Sequence, residues 1–376
     1  MERRLQQDGF FKNIPFGADS CGMVHYCGMR RGAYERVKAV MAEFFDQETG
    51  LILSVLREAA MLAVAVREES ALFTVEKSDL SPVTVADFAI QALVSRRLGD
   101  VFPDAVLVAE EDASSLRAPD GCDMLEVITS FVSRFIPGAT GGAVCDWIDQ
   151  GAASEGGALF WTLDPIDGTK GYRRGGQYAV ALAQIEDGHV IRGGLACPAL
   201  GAGELPAFAG TGLVAAAKRG AGAWLFPISS AAGPSSAAAL HVNGCSDPSK
   251  ARMLRSFEAG HTDVSALEQL ADALNLRPEA NVLMDSQAKF AVLASGGAEF
   301  IFRLLSPERP GYKEYIWDQA AGSLVVEEAG GRVTDLKGDR LDFSQGRRLL
   351  KNTGVVASNG VLHDAALAAL QMLPSL

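Results

Sequence analysis

The sequence predicts a mixed α/β or α+β protein of two domains. Three observations carry that reading: chain length, alternating strand-like and helix-like runs, and glycine-rich punctuation. At 376 residues the chain is longer than one typical domain. Hydrophobic residues make up 48% and charged residues 21%, enough to bury a sizeable core. The 40 glycines include the pairs Gly141-Gly142, Gly156-Gly157 and Gly330-Gly331, which point to many loops.

Residues 1–45 lack a sustained period and read as an extension, either a poorly ordered tail or a targeting segment. No apolar run leads to a small-residue cleavage site, which argues against a secretory signal, and Asp8 and Asp19 argue against a transit segment. Cys21, His25 and Cys27 lie close together but lack a fourth ligand, which disfavours zinc. In residues 47–69, Leu51, Val55, Leu56, Ala59, Leu62 and Ala63 recur near helical spacing. A second helix is expected from about Ala86 through Ile90, Leu93 and Val94. An apolar strand at 105–108 runs into Ala109-Glu110-Glu111-Asp112, and 123–136 reads as an amphipathic helix.

The apolar run 160–163 is expected to stop at Asp164-Pro165. Residues 178–185 and 190–195 flank Glu186-Asp187-Gly188 as a hairpin. The Ala/Ser/Pro/Gly-rich stretch 231–239 reads as a surface connection between a domain at 46–232 and one at 233–376. Helices at 263–274, 319–328 and 360–372 then alternate with strands at 300–302 and 353–357.

The formal net charge of −12 disfavours binding to a nucleic-acid polymer, which needs clustered Lys and Arg. A small anionic substrate stays open, because bound metal ions supply positive charge locally. No stretch is expected to reach the roughly 20 apolar residues of a membrane span, so the chain reads as soluble. The six cysteines, Cys21, Cys27, Cys122, Cys145, Cys197 and Cys245, form no CxxC pair. Reduced thiols in an intracellular protein, cytoplasmic or in a plastid or mitochondrion, are the plain expectation. The oligomeric state is open, with a monomer compatible.

The chemistry concentrates in Trp161-Thr-Leu-Asp164-Pro-Ile166-Asp167-Gly168-Thr169-Lys-Gly171. Asp164 and Asp167 follow an apolar strand and can converge at its end, and Gly168 allows a sharp turn into a helix whose first N–H groups attract phosphate. Carboxylate and carbonyl oxygens suit Mg²⁺. Glu110 and Glu111 also end a strand. Asp318, in Trp317-Asp318-Gln319-Ala320-Ala321-Gly322, leads into a helix, where an ordinary N-cap is the alternative. Asp87 is expected near a helix start, as a cap or as a base facing the metal. No GxSxG, HExxH or P-loop occurs, so covalent serine catalysis and nucleoside-triphosphate hydrolysis lack support. Scattered carboxylates beside a helix start point to metal-assisted hydrolysis by water.

Over residues 50–372 the chain resembles the inositol monophosphatase superfamily, Mg²⁺-dependent and lithium-sensitive phosphatases. Glu110-Glu111, Asp164-Pro-Ile-Asp-Gly-Thr169, Trp317-Asp318 and Ala320-Ala-Gly322 carry the resemblance. Ser81-Pro-Val-Thr84, the segment from Lys170 to Leu182, Gly260-His261, Asp285-Ser-Gln-Ala-Lys289 and Glu327 to Asp335 narrow it to the 3'(2'),5'-bisphosphate nucleotidase branch. The resemblance implies a layered αβαβα sugar-phosphatase fold with the active site between two domains. It implies two or three Mg²⁺ ions held by Glu110, Asp164, Asp167, Asp318 and the Ile166 carbonyl. Asp87 and Thr169 would activate water, with Glu110 serving catalysis mainly as a metal ligand, and Gly168, Thr169, His261, Ser286, Lys289 and Arg303 would bind the nucleotide.

The implied reaction removes the 3'-phosphate of adenosine 3',5'-bisphosphate, or of its sulfated relative, and so belongs to sulfur metabolism. Inositol polyphosphate 1-phosphatase or inositol monophosphatase activity is the alternative. An inactive binding or redox-sensing protein on this fold is disfavoured by the intact acidic set. Two departures stand out: Gln319 where the family often has His, and Tyr172-Arg173 where it has Phe-Leu.

Overall fold

The computed structural model describes residues 40–70, 81–201, 211–229, 237–257, 263–277, 279, 281–306, 309 and 311–373. Cys21, Cys27, His25 and His261 therefore lie outside the described residues, as does most of the N-terminal extension.

The first two long helices among the described residues, α1 (Gln47–Ser70) and α2 (Pro82–Val101), pack together. By length and composition α1 is apolar enough to cross a membrane, which corrects the expectation that no stretch would be. Here it is a core helix, with Ile52, Leu53, Leu56 and Leu62 buried in the cluster shared with α2 and the sheet. Helix α2 starts four residues earlier than the apolar spacing suggests. Ser81 holds the cap position and a proline sits at the helix start, where its missing N–H costs nothing. Asp87 therefore falls inside the helix and is not its cap.

After β1 (Leu107–Ala109) come α3 (Cys122–Val132) and α4 (Gly141–Asp149), then β2 (Leu159–Asp167), α5 (Thr169–Arg174), β3 (Ala179–Glu186) and β4 (His189–Gly201). Strands β5 (Thr211–Lys218), β6 (Ala223–Pro227) and β7 (Ala238–Ala239) complete a seven-stranded sheet in the order β1-β2-β3-β4-β5-β6-β7. Only the β1–β2 pair is parallel; the others are antiparallel. The β3–β4 turn places Asp187 at φ 48° and Gly188 at φ 75°, the left-handed pair of a two-residue hairpin.

Two further expectations are corrected in this sheet. Strand β2 does not stop at Asp164-Pro165 but continues to Asp167, because the ladder to β3 shifts register between those two acids. Pro165 falls inside the irregularity, where no ladder N–H is needed. Residues 237–239 are not surface connection: Ala237 is buried and β7 pairs with β6.

The second half contributes β8 (Met253–Arg255), α6 (Val264–Ala273), β9 (Asn281–Leu283), α7 (Ala288–Ala294), β10 (Phe300–Arg303), α8 (Ala320–Glu328), β11 (Arg332–Thr334), β12 (Val355–Ser358) and α9 (His363–Leu370). They form a five-stranded sheet in the order β11-β12-β10-β8-β9. Three apolar clusters separate five layers. The first joins α1 and α2 to Leu163, Val180, Leu182 and Val214 on one sheet face. The second joins the opposite face, including Ala179, Ala181 and Ala183, to α7, α8 and the second sheet. The third joins Phe300, Phe302 and Val356 to α6 and α9. This is the αβαβα order. The alanine-rich face lets α8 approach closely: a Cβ on Gly193 would stand 3.1 Å from the Ala321 backbone, and one on Gly322 would stand 2.4 Å from the Phe290 ring.

Candidate active site

The site forms where the C-terminal end of β2 meets the β9–α7 loop and the segment entering α8. Parallel pairing of Ala109 with Leu163 brings the next residues, Glu110 and Asp164, side by side. Asp167 ends β2, and Gly168 then turns the chain in the left-handed region at φ 86°. A Cβ on Gly168 would lie 2.7 Å from Ser286 Cβ, so only glycine fits where the two halves touch.

A cavity of about 310 Å³ is lined by Glu110, Asp164, Ile166, Asp167, Gly168, Thr169, Ser286, Lys289, Arg303 and Asp318. Ten of the twelve expected site residues thus converge, from segments far apart in sequence. Asp87 is not among the lining residues. It is 7% exposed, within electrostatic reach of Glu110, Glu111 and Asp164.

Burial, reinforced by neighbouring acids, raises the carboxyls of the cluster above their ordinary values. Burial, then Glu110, Asp167, Asp318 and Asp87, push the Asp164 carboxyl well above its ordinary value. Burial, then Glu111 and Glu110, do the same to Asp87. The Glu110 side chain opens onto the cavity, yet desolvation in the cleft, followed by Glu111 and Asp167, pushes it up to about 7. Asp318 is raised by burial against the pull of Arg303. Asp167 is raised by burial, partly offset by Lys289 and the Gln287 N–H. Crowded carboxylates of this kind suit a divalent cation, whose charge removes the repulsion.

The donors fit a hard cation in a second respect. Among the described residues Asp164 Oδ1 and Asp87 Oδ1 are buried without a hydrogen-bond partner, a costly state for an acceptor that nothing binds. Among the same residues no three acidic, histidine or cysteine side chains close into a ready-made cage. An open set of oxygens completed by water is how Mg²⁺ is commonly held.

The helix-cap alternative for Asp318 does not hold. Gln319, not Asp318, occupies the cap position of α8, and Gly168 caps α5, leaving Thr169 as its first residue with an exposed side chain. The expected phosphate-attracting helix is only six residues long, so its dipole is slight.

The basic side arises from the second sheet and α7. Lys289 Nζ donates to Ser256 Oγ at 3.0 Å and to the Met284 carbonyl at 3.3 Å. Burial pushes it down to about 8, although Asp167 and Asp285 pull the other way. Ser286 takes φ 68°, uncommon for a non-glycine residue and often a mark of a functional turn. Arg303 Nε lies 3.0 Å from Glu314 Oε2, and its Nη2 is 3.7 Å from Asp318 Oδ2.

Sequence reasoning missed the residues that brace these groups. Buried Gln91 of α2 donates to the Glu111 and Ile148 carbonyls at 2.7 and 2.8 Å and accepts from the Glu111 N–H at 3.0 Å. Gln287 donates its backbone N–H to Asp167 and its side chain to the Trp317 carbonyl at 3.0 Å. Arg347 donates to the Ala109 carbonyl at 2.6 Å and sits 4.7 Å over the Trp317 ring, tying the Glu110 turn to the Asp318 segment. A lone glutamine in an apolar helix was the available signal for Gln91; Arg347 lies in a loop and carried none.

The Inositol monophosphatase family model matches residues 46–375. A 3'(2'),5'-bisphosphate nucleotidase of Emericella nidulans is 36% identical over 87% of this chain and 98% of that protein. One from Oryza sativa is 40% identical over 83% of this chain and 90% of its own. Among solved structures, an IMPase of Thermotoga maritima aligns with a TM-score of 0.54 at 19% identity, covering 85% of this chain and 94% of that one. An extragenic suppressor protein suhB of Bartonella henselae aligns at 0.58 and 16% identity, covering 87% and 99%. These structural matches establish the fold.

Proposed function

The chain belongs to the inositol monophosphatase family, and on that premise we propose that it is a Mg²⁺-dependent 3'(2'),5'-bisphosphate nucleotidase. It hydrolyses the 3'-phosphate of adenosine 3',5'-bisphosphate to AMP and phosphate, and acts likewise on 3'-phosphoadenylyl sulfate. The observation that carries the reading is the meeting of Glu110, Asp164, Asp167 and Asp318 with Lys289 and Arg303 around one cavity. Near-full-length similarity to proteins named for this activity supports the choice of substrate.

Glu110, Asp164, Asp167, Asp318 and the Ile166 carbonyl would hold two or three Mg²⁺ ions. Bound there, Mg²⁺ supplies charge neutralisation of the phosphate and a lowered pKa for water. Thr169, exposed at the start of α5, presents its hydroxyl to orient water for in-line attack on phosphorus. Asp87, buried beneath the acidic cluster, accepts or holds the proton. Lys289 and Arg303 would bind the nucleotide phosphates by charge-assisted hydrogen bonds, with Ser286 and, by family resemblance, His261 as further nucleotide contacts. The test is phosphate release from adenosine 3',5'-bisphosphate, inositol 1,4-bisphosphate and inositol 1-phosphate, with and without Mg²⁺. Preference for an inositol phosphate would replace the nucleotide assignment, and turnover without divalent metal would remove the metal mechanism.

A further inference from the structure

Glu314 stands apart from the groups assigned above. It is 3% exposed, and two neighbours of Asp318 converge on it. Arg303 Nε lies 3.1 Å from its Oε1 and 3.0 Å from its Oε2, and Gln319 Nε2 donates to Oε2 at 3.3 Å. The Arg303 guanidinium is therefore shared between two carboxylates, and unequally. It hydrogen-bonds Glu314, whereas its Nη2 stops 3.7 Å from Asp318 Oδ2, beyond hydrogen-bond length. A half-buried arginine beside an acidic cluster would otherwise close on the nearest carboxylate and occupy the oxygens a cation needs.

We infer that Glu314 is a positioning residue that tethers Arg303 away from Asp318, keeping that carboxylate open to the cation and the free face of the guanidinium open to substrate phosphate. Gln319 is the second strut of the tether. It occupies the cap position of α8 but makes no cap hydrogen bond, and its side chain is spent on Glu314 instead. This gives a physical role to Gln319, a position where the sequence departs from the resembled pattern. The inference rests on the assignment of Asp318 as a cation ligand.

The test reads Mg²⁺ binding by isothermal titration calorimetry, without substrate, on wild type, Glu314→Gln and Glu314→Asp. Thermal melts in Mg²⁺-free buffer confirm that each variant is folded. Glu314→Asp keeps the charge but withdraws it by one methylene, out of reach of the Arg303 Nε. Both variants should raise the Mg²⁺ dissociation constant about tenfold, equal to about 1.4 kcal/mol. On an Arg303→Met background, where no guanidinium can close on Asp318, Glu314→Gln should change that constant less than about twofold, a coupling that a double-mutant cycle isolates. Wild-type affinity in Glu314→Asp would overturn the tether and leave only a charge effect. Equal losses with and without Arg303 would overturn it as well. Absence of Mg²⁺ binding by wild type would instead overturn the metal assignment, a separate failure with its own signature.

Discussion

Replacing Asp164 by Asn should stabilise the Mg²⁺-free protein while abolishing phosphate release. Asp164 is 2% exposed, and its Oδ1 has no partner among the described residues. Its carboxyl is raised by burial and by the surrounding acids. The folded state then holds more protons than the unfolded one, so the penalty is absent below the unfolded value near 3.9 and grows as pH rises through it toward the raised folded value. Asn keeps the shape, removes the charge, and offers an amide N–H that neighbouring carboxylates accept. Relief of one unsatisfied buried polar group amounts to about 1–3 kcal/mol. At about 2.1 cal/mol/K per residue, a chain of this length gains about 1 °C in Tm per kcal/mol, so a rise of about 1–4 °C is expected at pH 7. Mg²⁺ at 100 times its dissociation constant stabilises the wild type by about 2.7 kcal/mol, and the variant loses most of that, so its Tm advantage shrinks or reverses when Mg²⁺ is added. Scanning calorimetry with and without Mg²⁺, at pH 7 and toward pH 4, reads both effects. A variant less stable than wild type at pH 7 without Mg²⁺, or a gap that does not shrink on acidification, would refute the electrostatic reasoning. Turnover near wild type at saturating Mg²⁺ would remove Asp164 from the site.

Three further outcomes are expected. The KM for adenosine 3',5'-bisphosphate should rise as pH passes about 8, where Lys289 loses its proton; Lys289→Arg should flatten that rise, and an unchanged profile would exclude Lys289 from phosphate binding. Asp87→Asn and Thr169→Val should each depress turnover at least about 100-fold with strongly non-additive combination and Mg²⁺ binding largely kept, as partners in one step behave; additive losses would separate them. His363 is buried, its ring nitrogens each 2.9 Å from the Thr334 and Ser358 hydroxyls, and burial pushes its pKa down to about 4. Its contribution to stability is therefore full above pH 6.5 and lost as pH falls toward 4, up to about 3 kcal/mol; pH-dependent urea melts of His363→Gln should be flatter than wild type over that window.

The parts of the molecule legible in the sequence are those whose signal is local. Leu159–Asp167 is apolar until the acids begin, the Glu186-Asp187-Gly188 turn demands a hairpin, and Asp263 caps α6 by accepting from the Ala266 N–H at 3.0 Å. Glu110, Asp164 and Asp167 were found because they follow apolar strands, and Asp318 because it leads into a helix. Strands β5 and β6 were not legible: Ala215-Ala-Ala217 lies in a strand buried on both faces, and small residues there carry no period-two pattern. Glu314 and Arg347 were illegible for a different reason. Each draws its role from partners remote in the chain or from a side-chain direction, and neither has a sequence period. Arg303, which lines the cavity, was expected to bind the nucleotide with no counter-ion in view, because its buried partner eleven residues on leaves no mark in a single sequence.

The contact between Gly168 and Ser286, too tight for one added methyl group, is also a mechanical seam between the two halves of the site. On one side, Glu110, Asp164, Asp167 and Thr169 follow the first sheet; on the other, Ser286, Lys289 and Arg303 follow the second. Asp318 also enters from that second side, so a slide of one half against the other would part it from Glu110, Asp164 and Asp167, and the tightness of this seam sets the geometry of the whole acidic cluster.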